Sequence, residues 1–238
     1  MKVNFPKLNL LTANNTKTIK SLEHNYATFI LYLAPSTTSG VANVCPKASP
    51  GCKQSCLFTA GRGACSNVAN ARIRKTKLLF SNRAEFLSLL EDDINKAIKW
   101  SNKHGFKPCF RLNGTSDLPF ETVNFGNLLD KFVGLQFYDY TKIEKRVLEN
   151  KLPNYHLTYS RSELDTDDKL RKILSSSHNV AVVFSGKLPE TYLGYGVING
   201  DEHDLRFLDK TPCVVGLKAK GKAKRDTTGF VLQEGKDY

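Results

Sequence analysis

The chain has 238 residues, of which 40% are hydrophobic and 24% charged, a composition typical of a globular protein and not of a disordered or membrane-spanning one. No run approaches the roughly 18 apolar residues that a membrane span requires, and no signal-peptide segment opens the chain, so we expect the protein to act without a membrane where it is made. The 35 Lys and Arg against 23 Asp and Glu give a net charge of +12, which favours nucleic acid or nucleotides as partners, although a merely basic protein would carry the same charge.

The first half of the chain predicts one strand, a loop and two helices. Residues 1–25 are polar and predicted to be irregular, and the apolar run YATFILYLAP (26–35) predicts the first buried strand. A loop rich in cysteine, glycine and proline follows at 36–66. The segments 66–80 and 82–105 are predicted helices, and in the second Asn82 can cap the start while Gly105 can end it.

The rest of the chain repeats a pattern of short apolar runs that each end in a polar turn. The runs are 108–117, 134–142, 154–163, 179–187 and 212–222. Helix-compatible stretches lie at 121–132 and 166–176, and HDLRF (203–207) is compatible with a further short strand. The pattern predicts an α/β fold of mostly parallel strands. Roughly six strands favour a partial or complete β/α barrel of TIM type, and no linker divides the chain, so we expect a single domain over residues 1–238.

Four of the six cysteines stand in the stretch CPKASPGCKQSCLFTAGRGAC, with the spacing Cys45-x6-Cys52-x3-Cys56-x8-Cys65. Thiolates are soft ligands that suit zinc or iron–sulfur clusters, and glycine and proline let such a loop turn sharply so that its thiols converge. Structural zinc usually uses two close pairs of ligands, and only Cys52-x3-Cys56 forms one. The spacing therefore favours an iron–sulfur cluster, of 4Fe-4S or 3Fe-4S type, with zinc as the alternative and a redox-active or metal-free loop still open.

Polar side chains follow the predicted strands, and in a barrel they would gather at one mouth beside the cysteines. The candidates for acid–base chemistry are Asp117, Asp139, Tyr140, Lys142 and Glu163. The candidates for holding a cofactor are Asn113, Ser116, Ser160 and Ser162. For any single one of them, an exposed turn or a helix cap is the better explanation, and only the set taken together favours a functional role.

Two basic stretches predict phosphate binding. One comprises Arg62, Arg72, Arg74 and Lys75, in and after the cysteine-rich loop. The other is LKAKGKAKR (217–225), with Lys218 and Lys220, which a solvated charged tail would explain equally well. The first is favoured because arginine can bind phosphate through two parallel hydrogen bonds.

Two resemblances follow from these motifs. A cysteine loop directly after the first strand resembles the arrangement in radical S-adenosylmethionine enzymes, whose three cysteines hold a four-iron cluster. Only Cys52-x3-Cys56 matches that family's C-x3-C-x2-C spacing.

Over nearly its whole length the chain is more similar to a phage-encoded family called gene product 88. The matching stretches are CPKASPGCKQSCLFTAGRG, ARIRKT, FRLNGTSD, QFYDYTK, YHLTYSRSE, VAVVF, INGDEHDLRF and VGLKAKGKAK. This resemblance implies a phage origin, action in the host cytoplasm, and Cys45, Cys52 and Cys56 as core metal ligands, with Cys65 a fourth ligand or a bystander.

Two classes of function remain open on the sequence. In the first, the protein is a redox or radical-type enzyme that acts on a nucleotide or nucleic acid, with S-adenosylmethionine as a further ligand. In the second, it is a non-catalytic module that binds nucleic acid or a host protein, with a structural zinc or a closed cluster. Four protein ligands close a metal site and favour the second class, whereas three leave a position open and favour the first.

Overall fold

The computed structural model describes residues 4–59 and 61–238. Its strands are β1 (Leu11–Thr12), β2 (Tyr26–Leu31), β3 (Lys107–Arg111), β4 (Gln136–Thr141), β5 (Tyr155–Ser160), β6 (Val180–Phe184), β7 (Thr191–Tyr192), β8 (Tyr195–Asn199), β9 (Val214–Lys218) and β10 (Val231–Leu232). Its α-helices are α1 (Thr16–Ser21), α2 (Pro50–Gln54), α3 (Ser66–Ser81), α4 (Arg83–Lys103), α5 (Leu128–Lys131), α6 (Glu144–Leu148) and α7 (Asp167–Ser175). Short 3-10 turns lie at Leu22–His24, Leu57–Thr59, Gly61–Ala64, Val123–Phe125, Arg206–Leu208 and Gly221–Arg225.

The chain forms two compact units. The first comprises the residues up to Val44, then Asn70–Asp139 and Leu152–His156. The second comprises Cys45–Ala69, Tyr140–Lys151 and Leu157–Tyr238. The single domain expected over residues 1–238 stays a prediction.

In the first unit the strands follow the order β1-β2-β3-β4, with β1 antiparallel to β2 and the others parallel. Phe29, Phe110 and Phe137 come from successive strands, are fully buried, and place their rings 5.6 and 5.4 Å apart between centroids. Such contacts between aromatic rings add to the burial of apolar surface. The register of β2 to β4 is therefore set by one aromatic row in the core.

In the second unit the strands follow the order β5-β6-β9-β8-β7. Strands β5, β6, β9 and β8 are parallel, β7 is antiparallel to β8, and β10 adds a parallel pair to the end of β6. The core of this unit contains Val182, Phe184, Val214 and Val215, all fully buried. Continuous apolar runs of this kind are typical of parallel strands covered on both faces.

The predicted α/β class with mostly parallel strands is confirmed, and the strands form an open sheet. Within the described residues no strand pairing closes a barrel, so the β/α barrel expected from the rhythm of the sequence is not shown. The short strands β1, β7, β8 and β10 were not predicted, because each is too brief or too exposed to show a period of two.

Two local predictions were wrong. The segment HDLRF leads into a 3-10 turn and not a strand, because Arg206 N donates to Asp204 O at 2.9 Å and Leu208 N to Leu205 O at 3.0 Å, which satisfies the backbone locally. The helix expected over 121–132 is broken into a 3-10 turn and the single-turn α5, because Gly126 and Asn127 both have positive φ, at 66° and 51°.

The two long helices were predicted to within two residues. In α4 the Asn82 side chain accepts from Glu85 N at 3.2 Å and donates to Glu85 Oε2 at 2.9 Å, a capping arrangement that satisfies the exposed start of the helix. Gly105, at φ 73°, follows its end. No helix in the described part of the chain has the length and apolarity needed to cross a membrane.

Asp93, on the buried face of α4, fixes the N-terminal segment of the first unit. Its carboxylate is fully buried and accepts from the backbone N–H groups of Asn9, Leu10 and Leu11 at 3.0, 2.7 and 3.0 Å. Hydrogen bonds to a charged acceptor are stronger than neutral ones, and a buried carboxylate without them would be costly. Part of the segment 1–25, which was expected to be irregular, therefore pairs with the sheet as β1.

Asp93→Asn is expected to lower the free energy of unfolding by about 1–3 kcal/mol, because an amide can present only one oxygen to the three donors. The matched control is Asp92→Asn, an exposed neighbour on the same helix, which should change stability by less than about 0.5 kcal/mol. Urea unfolding measures both. Equal effects of the two substitutions would contradict the role given to Asp93.

Candidate functional site

The cysteine loop, defined as Cys45–Cys65, is attached to the second unit through the start of α2. Ser49 caps this helix by accepting from Cys52 N at 3.2 Å. Glu163 accepts from Ser49 Oγ and from Gly51 N, both at 2.7 Å. A side chain at Gly51 would place its Cβ 2.9 Å from Glu163 Cδ, so the close approach requires glycine. Glu163, expected to act in catalysis, is therefore an anchor of the loop.

Asp226 is the second anchor of the cysteine loop. Its Oδ1 accepts from Ser55 Oγ at 3.2 Å and from Thr228 Oγ1 at 2.8 Å, and its Oδ2 accepts from Val231 N at 3.0 Å. Burial by itself would raise the pKa of Asp226, but the hydrogen bonds from Val231, Thr228 and Ser55 outweigh burial and lower the pKa below its usual value. The ionised carboxylate therefore connects the loop to the C-terminal segment.

The four loop cysteines differ in exposure. Cys45, Cys52 and Cys56 are half-buried and Cys65 is exposed. Within residues 4–59 and 61–238 no three His, Cys, Asp or Glu side chains lie together as a metal ion would require. The donors thus fit a soft metal in chemistry, but the structure does not gather them into a ligand set. The metal site stays a prediction.

The basic segment, defined as Lys218–Arg225, lies beside the cysteine loop within the second unit. It carries five cations in eight residues, all of them exposed. Ala223, in its middle, is buried and packs with Ala219 and Val231, so the backbone is fixed while the charged side chains face solvent. Cα atoms of its turn Gly221–Arg225 lie within 8 Å of Cα atoms of the loop turn Leu57–Thr59. A thiol-bearing loop and a cationic segment therefore form one surface.

The remaining candidates of the second unit are engaged in structural contacts. Lys142 Nζ donates to Ser160 O at 3.0 Å, Ser160 Oγ at 3.2 Å and Arg161 O at 2.8 Å. The ring of Tyr140 packs against a core cluster that contains Cys213. Ser162 Oγ accepts from Leu164 N at 3.2 Å and closes a local turn. These side chains maintain the turn after β5.

The candidates of the first unit form a network around Asp139, which is fully buried. Asp139 accepts from Asn113 N at 2.7 Å, Asn113 Nδ2 at 3.2 Å and Tyr155 OH at 2.9 Å. Asn113 Oδ1 in turn accepts from Ser116 Oγ and Leu118 N, both at 2.8 Å. The backbone of Asp117, whose side chain is nearly buried, donates to Val44 O at 2.8 Å. The motif FRLNGTSD therefore contains a folded turn in which Asn113 is held by hydrogen bonds to Asp139, Ser116 and Leu118.

The predicted phosphate ligands differ in their exposure and in the contacts that they make. Arg74 is exposed, whereas Arg72 is buried over the ring of Tyr32, with its guanidinium carbon 4.9 Å from the ring centroid. Lys75 donates to Leu10 O, and burial, opposed by the nearby charge of Asp93, lowers its pKa to about 8. Lys218 and Lys220 are exposed and interact with Asp201 through the Lys218 N–H and the Lys220 ammonium. The side chain of Arg62 lies outside the described part of the chain.

Lys222, Lys224 and Arg225 are exposed as well and belong to the predicted run LKAKGKAKR, although they were not named individually as candidate ligands. Sequence reasoning also did not select Arg206, which is fully buried and pairs with Asp209 at 3.2 Å between Nε and Oδ2. Burial, opposed by the charge of Arg206, raises the pKa of Asp209 to about 6. A buried pair of this kind is weak evidence of function, since it has to compensate its own desolvation.

Cys213 lies outside the cysteine loop and is buried in the core. Burial, and to a smaller extent the nearby charge of Asp209, raise the pKa of its thiol to about 11, so the thiol is protonated at neutral pH. It has neither the exposure nor the ionisation of a ligand or nucleophile.

Comparison with known proteins supports one resemblance. A family model described as gene product 88 matches residues 9–234, nearly the whole chain. No curated protein and no solved structure matches the chain. The predicted resemblance to the gene product 88 family is confirmed, whereas the resemblance to radical S-adenosylmethionine enzymes is not shown.

Asp226→Asn is expected to lower the free energy of unfolding by about 1–3 kcal/mol at neutral pH, because two donors would face an amide nitrogen or remain unpaired. A carboxyl group with a lowered pKa stabilises the fold above its ordinary pKa of 3.8 and loses that effect as the pH falls through the lowered value. The difference between wild type and variant should therefore shrink in acid.

Urea unfolding between pH 3 and pH 7 checks this expectation, with the exposed Glu190→Gln of the same unit as control. The control should follow the wild type throughout the range. A difference between wild type and Asp226→Asn that stays constant down to the lowest pH would contradict the role of the ionised carboxylate.

Proposed function

We propose that this chain, which belongs to the gene product 88 family, binds nucleic acid through the surface formed by the cysteine loop and the basic segment. The observation that carries the proposal is the proximity of the turn Leu57–Thr59 to the turn Gly221–Arg225, whose Cα atoms lie within 8 Å of one another. This proximity places a row of cations beside the loop. The phage character of the family favours action in the host cytoplasm.

The charge of the basic segment is only partly neutralised. Asp201 engages Lys220 and the backbone of Lys218, but among the described residues no ion pair involves Lys222, Lys224 or Arg225. Cations fixed on a buried backbone can contact successive phosphates and release the counterions condensed on them. Such contacts position a nucleic acid without reading its sequence.

Binding without catalysis is favoured over the redox or radical enzyme. Asp139, Lys142 and Glu163, three of the five predicted catalytic residues, each make two or three hydrogen bonds to groups of the protein. A general acid or base has to reach a substrate proton, and a group committed to backbone donors or acceptors lacks that freedom. The function is therefore proposed to be that of a binding module.

A metal on the cysteine loop is a second proposal. It is supported by the half-buried positions of Cys45, Cys52 and Cys56 on one loop that Glu163 and Asp226 attach to the same unit. Bound there, an iron–sulfur cluster or a zinc ion would stiffen the loop beside the basic segment. The loop would have to close around the metal, since in the part of the chain that the structure describes no three metal-binding side chains lie together.

The double charge reversal Lys222→Glu/Lys224→Glu is expected to weaken binding of a fluorescein-labelled oligonucleotide about tenfold or more in low salt. The slope of log affinity against log salt should fall by about one to two. With fewer phosphate contacts, fewer counterions are released when the oligonucleotide binds. Fluorescence anisotropy at several salt concentrations measures both quantities.

The matched control is Lys99→Glu/Lys103→Glu, which changes the net charge equally but alters the exposed face of α4 in the first unit. It should reduce affinity much less than the reversal in the basic segment. Equal losses in the two double variants would mean that only net charge matters, and no binding by the wild type would refute the proposed function.

Anaerobic purification followed by iron, sulfide and zinc analysis is expected to find iron and sulfide in similar amounts. Cys52→Ser and Cys56→Ser should lose the metal, whereas Cys213→Ala, which alters a buried thiol outside the loop, should retain it. Loss in Cys65→Ser would indicate a closed site with four ligands. Stoichiometric zinc would contradict the cluster, and a metal-free protein after reconstitution would contradict the metal site.

A further inference from the structure

We infer that the nucleic acid bound at this surface is single-stranded, with a base stacked on Phe58 of the cysteine loop. The inference rests on the proposed function and names its substrate class. Phe58 lies in the turn Leu57–Thr59, whose Cα atoms come within 8 Å of those of the basic segment, so an aromatic residue and several cations are neighbours in the fold.

Two large apolar side chains of this turn remain partly accessible to solvent. Leu57 is 54% exposed and Phe58 is half-buried, although both are large and apolar. They stand directly after Cys56, in a loop that Asp226 anchors through Ser55. Apolar groups that stay accessible beside cations match a partner that has both apolar faces and negative charge.

A second aromatic residue borders the basic segment and is rigidly supported. Phe230 is half-buried and packs against the cluster that contains Ala223, in the middle of the segment. Arg161 donates to Gly229 O at 2.9 Å and Phe230 O at 3.2 Å, and Lys142 Nζ lies 5.0 Å from the centre of the Phe230 ring. The cations are therefore bordered by aromatic side chains from two different segments of the chain.

This combination distinguishes single strands from duplexes. Proteins that bind single strands without sequence preference pair a cationic track for the backbone with aromatic rings on which bases stack. In a duplex the faces of the bases are stacked on one another, so that an aromatic side chain cannot stack on them while the phosphates still meet the cations. A partly accessible ring such as that of Phe58 therefore adds to affinity only for a strand whose bases are unstacked.

The test compares the binding of a twenty-nucleotide oligothymidine with that of a twenty-base-pair duplex, each fluorescein-labelled, by anisotropy in the same salt. The wild type is expected to bind the single strand at least tenfold more tightly than the duplex. Phe58→Ala should weaken single-strand binding about tenfold and leave duplex binding unchanged, because stacking of one base is lost while the phosphate contacts remain.

Two further variants separate stacking from folding and from general apolar contact. Phe58→Trp retains a stacking ring, and its fluorescence should be quenched by the oligothymidine, whereas the chain's natural Trp100, stacked on Phe5 in the first unit, should respond little. Phe80→Ala removes an exposed phenylalanine of the first unit and should leave the affinity for the single strand unchanged.

The outcomes distinguish this inference from the proposed function. Equal affinity for single strand and duplex, together with no effect of Phe58→Ala and no quenching in Phe58→Trp, would overturn the single-strand inference while the charge-reversal result still supported nucleic-acid binding. A failure of the wild type to bind either oligonucleotide would overturn both. A single-strand preference that Phe58→Ala abolishes would establish the inference.

Discussion

Attachment of the cysteine loop by two carboxylates is the constraint on which the candidate site depends. Glu163 binds the start of α2 through Ser49 Oγ and Gly51 N, and Asp226 binds Ser55 Oγ and the backbone of Val231. Without them, a loop with so many glycines and prolines would gain conformational entropy by detaching. Because Asp226 directly follows the basic segment, the same attachment fixes the loop beside the cations.

The use of acidic residues also explains the charge of the surface. Asp93 and Asp139 are fully buried in the first unit, and Asp226 is nearly buried in the second, each accepting hydrogen bonds from backbone or side-chain donors. Carboxylates that are buried in this way do not pair with lysines at the surface. The formal net charge of +12 therefore understates how cationic the exposed surface is.

Much of the fold could be predicted from the sequence, because its signals are local. The capping pair Asn82 and Glu85 located α4, and the apolar runs located the main parallel strands. The open sheet could not be predicted, since barrel closure depends on pairing between distant strands that no periodicity records. The α5 region was mispredicted because a left-handed Gly126 interrupts a helical pattern.

The candidate site was predicted less well, for a physical reason. Asp139, Lys142 and Glu163 have the residue types of catalysis, but burial and backbone partners decide whether such a group acts or supports. Those partners lie between 16 and 114 residues away in the chain and leave no local signal. The run of lysines was visible in the sequence, yet its contact with the loop turn was not.

Crosslinking tests the central claim, that the cysteine loop and the basic segment form one nucleic-acid surface, most directly. A thymidine oligonucleotide is irradiated with the full-length protein, and the crosslinked peptides are identified by mass spectrometry. The account predicts crosslinks to the turn Leu57–Thr59 and to the segment from Lys218 to Phe230, both lost on competition with unlabelled strand. Crosslinks confined to the first unit, or none above the background of a non-binding protein, would contradict it.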